Sequence, residues 1–192
     1  MVYLLVIGDT HIPDRAIQIP DKLANIIYSS VPWDIVVFTG DFTGEDIYNT
    51  VLKLGREVYT VSGNMDYLPL PEAQVFTVNN IPIGVYHGDG VYPRGDTRGL
   101  TKVAIKLGVK LLFTGHTHSY FIKKGLSEDV LLLNPGSLTG VWSGGGGSMK
   151  PSMIVLEFID NYFKYELFEL NDGRLNRREG KIYFRDNKWF LE

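Results

Sequence analysis

A chain of 192 residues, 44% hydrophobic and 21% charged, has the length and balance of one domain with its own core. Disordered, collagenous and coiled-coil classes do not fit that composition. It contains no cysteine, which rules out disulfide scaffolds, thiolate zinc sites, iron–sulfur clusters and thiol nucleophiles, and a net charge of −3 argues against a basic nucleic-acid-binding face. Val2 to Ile7 is too short and lacks the basic flank of a signal peptide. No apolar run reaches the roughly 18–20 residues of a membrane span, and a cytoplasmic location is expected.

In chain order, Tyr3 to Ile7 reads as a buried strand, and Lys22 to Ser30 as a helix with Leu23, Ile26 and Ile27 on one face behind Pro20 and Asp21. Asp34 to Phe38 is a second strand. Glu45 to Leu54 is a second helix, with Gly55 as its stop, and Glu57 to Val61 is a third strand. That alternation implies right-handed crossovers and a parallel sheet. Gln74 to Val78 and Ile81 to Tyr86 flank a two-residue turn at Asn79-Asn80, and Thr97 to Leu107 is a third helix before a strand at Lys110 to Phe113. Tyr120 to Lys123, Val130 to Leu133, Met153 to Ile159 and Tyr162 to Phe168 read as strands. Lys181 to Phe184 and Lys188 to Leu191 pair as a terminal hairpin across Asp186-Asn187. Gly144 to Gly147 reads as a surface loop within one domain, 1–192, and Asn171 to Gly180 as a solvated turn; residues 171–192 hold the appended hairpin.

Polar residues recur directly after the apolar strands: Gly8-Asp9-Thr10-His11, Gly40-Asp41, Gly63-Asn64, His87-Gly88 and Gly115-His116-Thr117-His118. In an open α/β sheet such loops converge beyond the carboxyl ends of the strands, and glycine permits the sharp turns. All four histidines of the chain lie in these motifs. Two Asp, one Asn and four His suit borderline divalent ions, and seven donors exceed the needs of one ion, so a carboxylate bridging two ions is expected.

This ordered series resembles the calcineurin-like metallophosphoesterases, and Asn134-Pro135-Gly136-Ser137 resembles their small single-domain prokaryotic phosphodiesterase branch. The resemblance implies an α/β fold, a four-layer αββα sandwich of two mixed β-sheets flanked by helices. It also implies a dinuclear site, with Asp9, His11 and His118 on the first metal, Asp41 bridging, and Asn64, His87 and His116 on the second. Two divalent ions are expected, Mn first, with Ni, Fe, Zn or Mg as alternatives. The implied function is a phosphodiesterase, a hydrolase in which a metal-bridging hydroxide attacks the ester and Asp41, Asn64 and His87 serve the catalysis.

The chain departs from the family in two places. Met65 follows Gly63-Asn64 where many members have a histidine acid, and His87-Gly88 is followed by Asp89, read as a turn or supporting residue. Asp66 is expected to orient Asn64 or cap a helix. Arg94 and Arg98 are candidates for phosphate contact, with a small-molecule phosphate ester or diester as partner and neither membrane nor nucleic acid indicated. Tyr183, Phe184, Trp189 and Phe190 suggest edge packing or a homodimer contact. The alternative is a non-catalytic protein-interaction scaffold on the same fold, because the retromer sorting subunit, chiefly a binding module, resembles this branch.

Overall fold

The apolar runs read as strands sort into two sheets in the computed structural model, which describes residues 1–160 and 162–192. The chain begins β1 (Val2–Ile7), α1 (Asp21–Ser29), β2 (Trp33–Phe38), α2 (Glu45–Val51), β3 (Gly55–Thr60), β4 (Ala73–Val78) and β5 (Ile81–Tyr86). It continues α3 (Thr97–Leu107), β6 (Leu111–Phe113), β7 (Phe121–Lys124), β8 (Leu131–Asn134), β9 (Ser152–Ile159), β10 (Tyr162–Asn171), β11 (Arg174–Arg185) and β12 (Lys188–Leu191).

The larger sheet has the order β12-β11-β10-β9-β1-β2-β3 and the smaller β4-β5-β6-β8-β7. Each has a parallel centre, β1-β2-β3 in one and β5-β6-β8 in the other, with antiparallel strands added at its flanks. Both are therefore mixed sheets.

Alternation along the strands decides the layers. Leu4, Val6 and Val37 of the larger sheet face Ile83, Val85, Phe113 and Leu133 of the smaller in a shared core. The neighbouring residues Leu5, Ile7, Val36 and Phe38 point the other way, onto Leu23 and Ile27 of α1 and Ile47 and Val51 of α2. Leu112 and Leu132 turn outward onto Leu100 and Ala104 of α3. The result is the expected αββα sandwich, with the three helices of the described residues outside their two sheets. Asp96 caps α3 by accepting from Gly99 N–H at 2.7 Å, and Gly108 ends it in the left-handed region at φ 70°.

Turn chemistry sets the register of the hairpins. Asn79-Asn80 and Asp186-Asn187 hold the paired positive φ angles of a type I′ turn, as their sequence predicts. Asp172-Gly173 does the same at φ 47° and 73°, and here the expectation of a solvated turn over Asn171 to Gly180 is corrected. These residues build β11, twelve residues long and paired with β10 from Tyr162↔Tyr183 to Asn171↔Arg174. The polar outer side of this ribbon is held by cross-strand ion pairs such as Arg177–Glu166 at 3.0 Å, so it lacks the apolar alternation that signals a strand. Gly55 likewise opens β3 opposite Trp33 instead of ending α2.

Candidate metal centre

Five strand ends meet at one rim of the sandwich, where the parallel strands of both sheets finish. The loops after β1 and β2 run side by side, with Asp9 N–H donating to Gly40 O at 2.9 Å and His11 N–H to Asp41 O at 3.1 Å. Asp9, His11, Asp41, His116 and His118 all sit at positive φ, between 47° and 68°. Left-handed backbone at non-glycine residues costs about 1 kcal/mol or more each, and its concentration here marks a functional site. Two glycines make room. A Cβ on Gly63 would fall 2.1 Å from Asp41 Oδ1, and one on Gly115 would fall 2.8 Å from Asp9 Oδ2.

Asp9, His11, Asp41 and His118 are buried and each brings one donor atom to within 4.8 Å of the others. His11 Nε2 lies 3.1 Å from His118 Nε2 and 3.3 Å from Asp41 Oδ2, while His118 Nε2 is 3.4 Å from Asp9 Oδ1. His118 Nδ1 donates to Val141 O at 2.6 Å, which leaves its Nε2 with a lone pair facing the cluster. Two imidazole nitrogens and two carboxylates, buried and aimed at one another, fit a single borderline divalent cation. Bound there, the ion would supply positive charge between the two sheets and act as a Lewis acid.

The electrostatics follow from burial and charge. Burial holds His11 down to about 4 despite the nearby Asp41 and Asp9 carboxylates, so its ring is neutral. Burial opposes the charge of Asp41, but its pairing with His87 and a hydrogen bond from Met65 N–H outweigh this and hold it at about 2. His87 is the converse: burial disfavours its charge, yet Asp41, Asp9 and the Thr39 carbonyl push it up to about 9. His116 is held at about 4 by burial, then by the positive charges of His87 and Arg94.

The remaining expected ligands do not converge in the same way. Asn64 is exposed. His87 sends Nδ1 to Thr39 O at 2.7 Å, and its Nε2 stands 3.5 Å from Asp41 Oδ2, buried without a hydrogen-bond partner. His116 Nε2 accepts from Arg94 Nε at 2.9 Å, which consumes the lone pair an ion would need. Arg94, itself exposed, turns onto His116; Arg98 is exposed in the first turn of α3 and Asp89 in its turn. Among the described residues, one group of His and acidic side chains converges for an ion.

Asp66 is the residue whose importance the sequence underrates. Its carboxylate accepts from the backbone N–H groups of Asp41, Thr43 and Gly63 at 2.8–2.9 Å, fastening the loop after β3 to the loop after β2. A short-range reading assigns it to Asn64, two residues away. Its partners at Asp41 and Thr43 are 25 and 23 residues distant.

The family model described as "Calcineurin-like phosphoesterase superfamily domain" matches residues 2–160. A "Probable metallophosphoesterase" of Methanocaldococcus jannaschii is 44% identical over 138 residues, 70% of this chain and 67% of that protein. Among solved structures, vacuolar protein sorting 29 of Cryptosporidium parvum superposes with a TM-score of 0.87 at 26% identity, covering 95% of this chain and 98% of its own. Wild-type Vps29 of Entamoeba histolytica, complexed with Zn²⁺, superposes with a TM-score of 0.84 at 33% identity, covering 93% and 98%.

These findings correct the functional expectation. The chain assembles one four-donor group rather than a dinuclear pair, so two ions, and manganese as their identity, are not supported. A two-metal clamp on a phosphoryl group needs both halves of the site, and the solved structures that superpose at 26–33% identity include Vps29 of two organisms. The expectations of a phosphodiesterase, of a hydrolase, and of a small phosphate ester as partner are therefore overturned.

Proposed function

The chain belongs to the calcineurin-like phosphoesterase superfamily, and from that membership and its one-ion centre we propose that it is a non-catalytic protein-interaction scaffold. The observation that carries this reading is the Arg94–His116 hydrogen bond, which withdraws a ligand from the second metal position. Asp9, His11, Asp41 and His118 are the ligands of a single structural ion that ties the loops after β1, β2 and β6 together. Met65, at the place of the family's acid, has no proton to give.

A partner surface is available at the opposite rim. Tyr3, Ile26, Pro32, Trp33, Val155 and Phe168 line a groove of about 430 Å³ between α1 and the outer face of the larger sheet. It is mostly apolar and suits an apolar segment of another protein. The similarity to Vps29 of Cryptosporidium parvum and Entamoeba histolytica supports a protein partner, and residues 1–192 are read as one unit. No helix is long and apolar enough to cross a membrane among the described residues. The setting is taken as cytoplasmic, to be checked by cell fractionation.

The test is metal analysis with an activity assay. The purified chain is expected to hold one Zn²⁺ and to hydrolyse an activated aryl phosphodiester no faster than Asp41→Ala. Two bound ions with turnover above that control would overturn the reading.

A further inference from the structure

We propose that the Arg94 guanidinium is the chain's resident cation for the second half of the centre, clamped there by the glycine-rich loop 143–147, and that it sets the capacity of the centre at one ion. The inference rests on the one-ion reading above and supplies its cause. An imidazole nitrogen has one lone pair, and that of His116 Nε2 already accepts from Arg94 Nε at 2.9 Å. A guanidinium keeps its charge at any working pH, so the block is permanent while the side chain stays in place.

The loop keeps it in place. Arg94 Nη1 donates to Ser143 O and lies 3.3 Å from Ser143 Oγ. Ser143 is itself closed onto the loop, with N–H and Oγ both reaching Gly146 O at 3.3 and 3.0 Å. A Cβ on Gly145 would stand 3.0 Å from Arg94 Nη1 and 3.2 Å from its Cδ, so a side chain there would crowd the arginine. Gly147, at φ 99°, passes over His118, where a Cβ would come within 3.0 Å of the His118 Cβ. Ser148 then fastens the loop by donating N–H and Oγ to His118 O at 3.1 and 3.0 Å. The run of glycines that looks like a linker in sequence passes close over His118 and lies against Arg94, whose guanidinium stays exposed on its outer side.

Charge points the same way. Asp9 and Asp41 are the two carboxylates of the group, and a second dication would find no further carboxylate there and would face the guanidinium at His116.

The experiment counts Zn²⁺ per chain by elemental analysis and calorimetric titration. Wild type is expected to bind one ion and Arg94→Ala two, whereas Arg94→Ala combined with His116→Ala returns to one. Gly145→Val, which displaces the arginine without removing it, is expected to gain a second, weaker ion and gives a reading should Arg94→Ala fail to fold. One ion in Arg94→Ala, or in Gly145→Val where only that variant folds, overturns this proposal and leaves the one-ion scaffold standing. Two ions in wild type overturn both.

Discussion

His11 and His118 bring their Nε2 atoms to 3.1 Å of each other although 107 residues separate them, one carried by a loop of the larger sheet and one by a loop of the smaller. At that distance one ring donates N–H to the other, and a shared cation would instead take a lone pair from each. Zn²⁺ at about 100 times its Kd should stabilise the fold by about 2.7 kcal/mol. That is a rise of about 5–10 °C in Tm for a chain of this size. Calorimetry with and without chelator measures it, and His118→Ala should abolish the difference.

Asp66 predicts a different phenotype. Replacing it with alanine strands three backbone N–H groups that now share a carboxylate. The expected loss is about 3 kcal/mol, or roughly 6–12 °C in Tm. Zn²⁺ affinity should fall about tenfold or more, because Asp41 loses the support of its loop. Denaturation and titration of Asp66→Ala, with unchanged affinity as the contrary result, decide the point.

The metal-free protein should be most stable near pH 6.5. His11 and His116 titrate at about 4 in the fold against roughly 6.5 unfolded, so the unfolded chain binds the extra protons between those values and stability falls as pH drops from about 6.5 to 4. His87, pushed up to about 9, contributes stability that is complete below about 6.5 and is lost as pH climbs through 9. Thermal melts in chelator across pH 4–10 should trace a dome. A curve flat on the alkaline side would contradict the charged state of His87.

Trp189 is fully buried, and its indole N–H is shared between Lys110 O at 3.0 Å and Asp129 O at 3.1 Å. Its backbone N–H donates to Glu128 O, so β12 closes the far end of the inter-sheet core. Trp189→Ala should cost about 3–5 kcal/mol in equilibrium unfolding and leave the metal count unchanged.

The apolar groove predicts separation of docking from metal binding. Val155→Lys places a charge in the groove at the rim opposite the centre. It should eliminate recovery of any partner captured by the wild-type chain, with no change in bound Zn²⁺. Equal recovery by both proteins would remove this groove from the scaffold reading.

Local pattern was enough to place most of the strands, the helices and all the histidines, because apolar periodicity and glycine turns are written within a few residues of where they act. The same pattern put the donors at strand ends, and parallel strands must finish on one rim. What the pattern could not decide was which donors face one another. Asn64 lies exposed beside the rim, Arg94 crosses from the loop after β5 to take the lone pair of His116, and Asp66 binds a loop more than twenty residues away. The partly polar strand β11 was hidden for a related reason, since its stability comes from pairing with β10 and from ion pairs across the ribbon. Donor type is a property of the chain. Ion number is a property of distance between loops that only the packed sheets bring together.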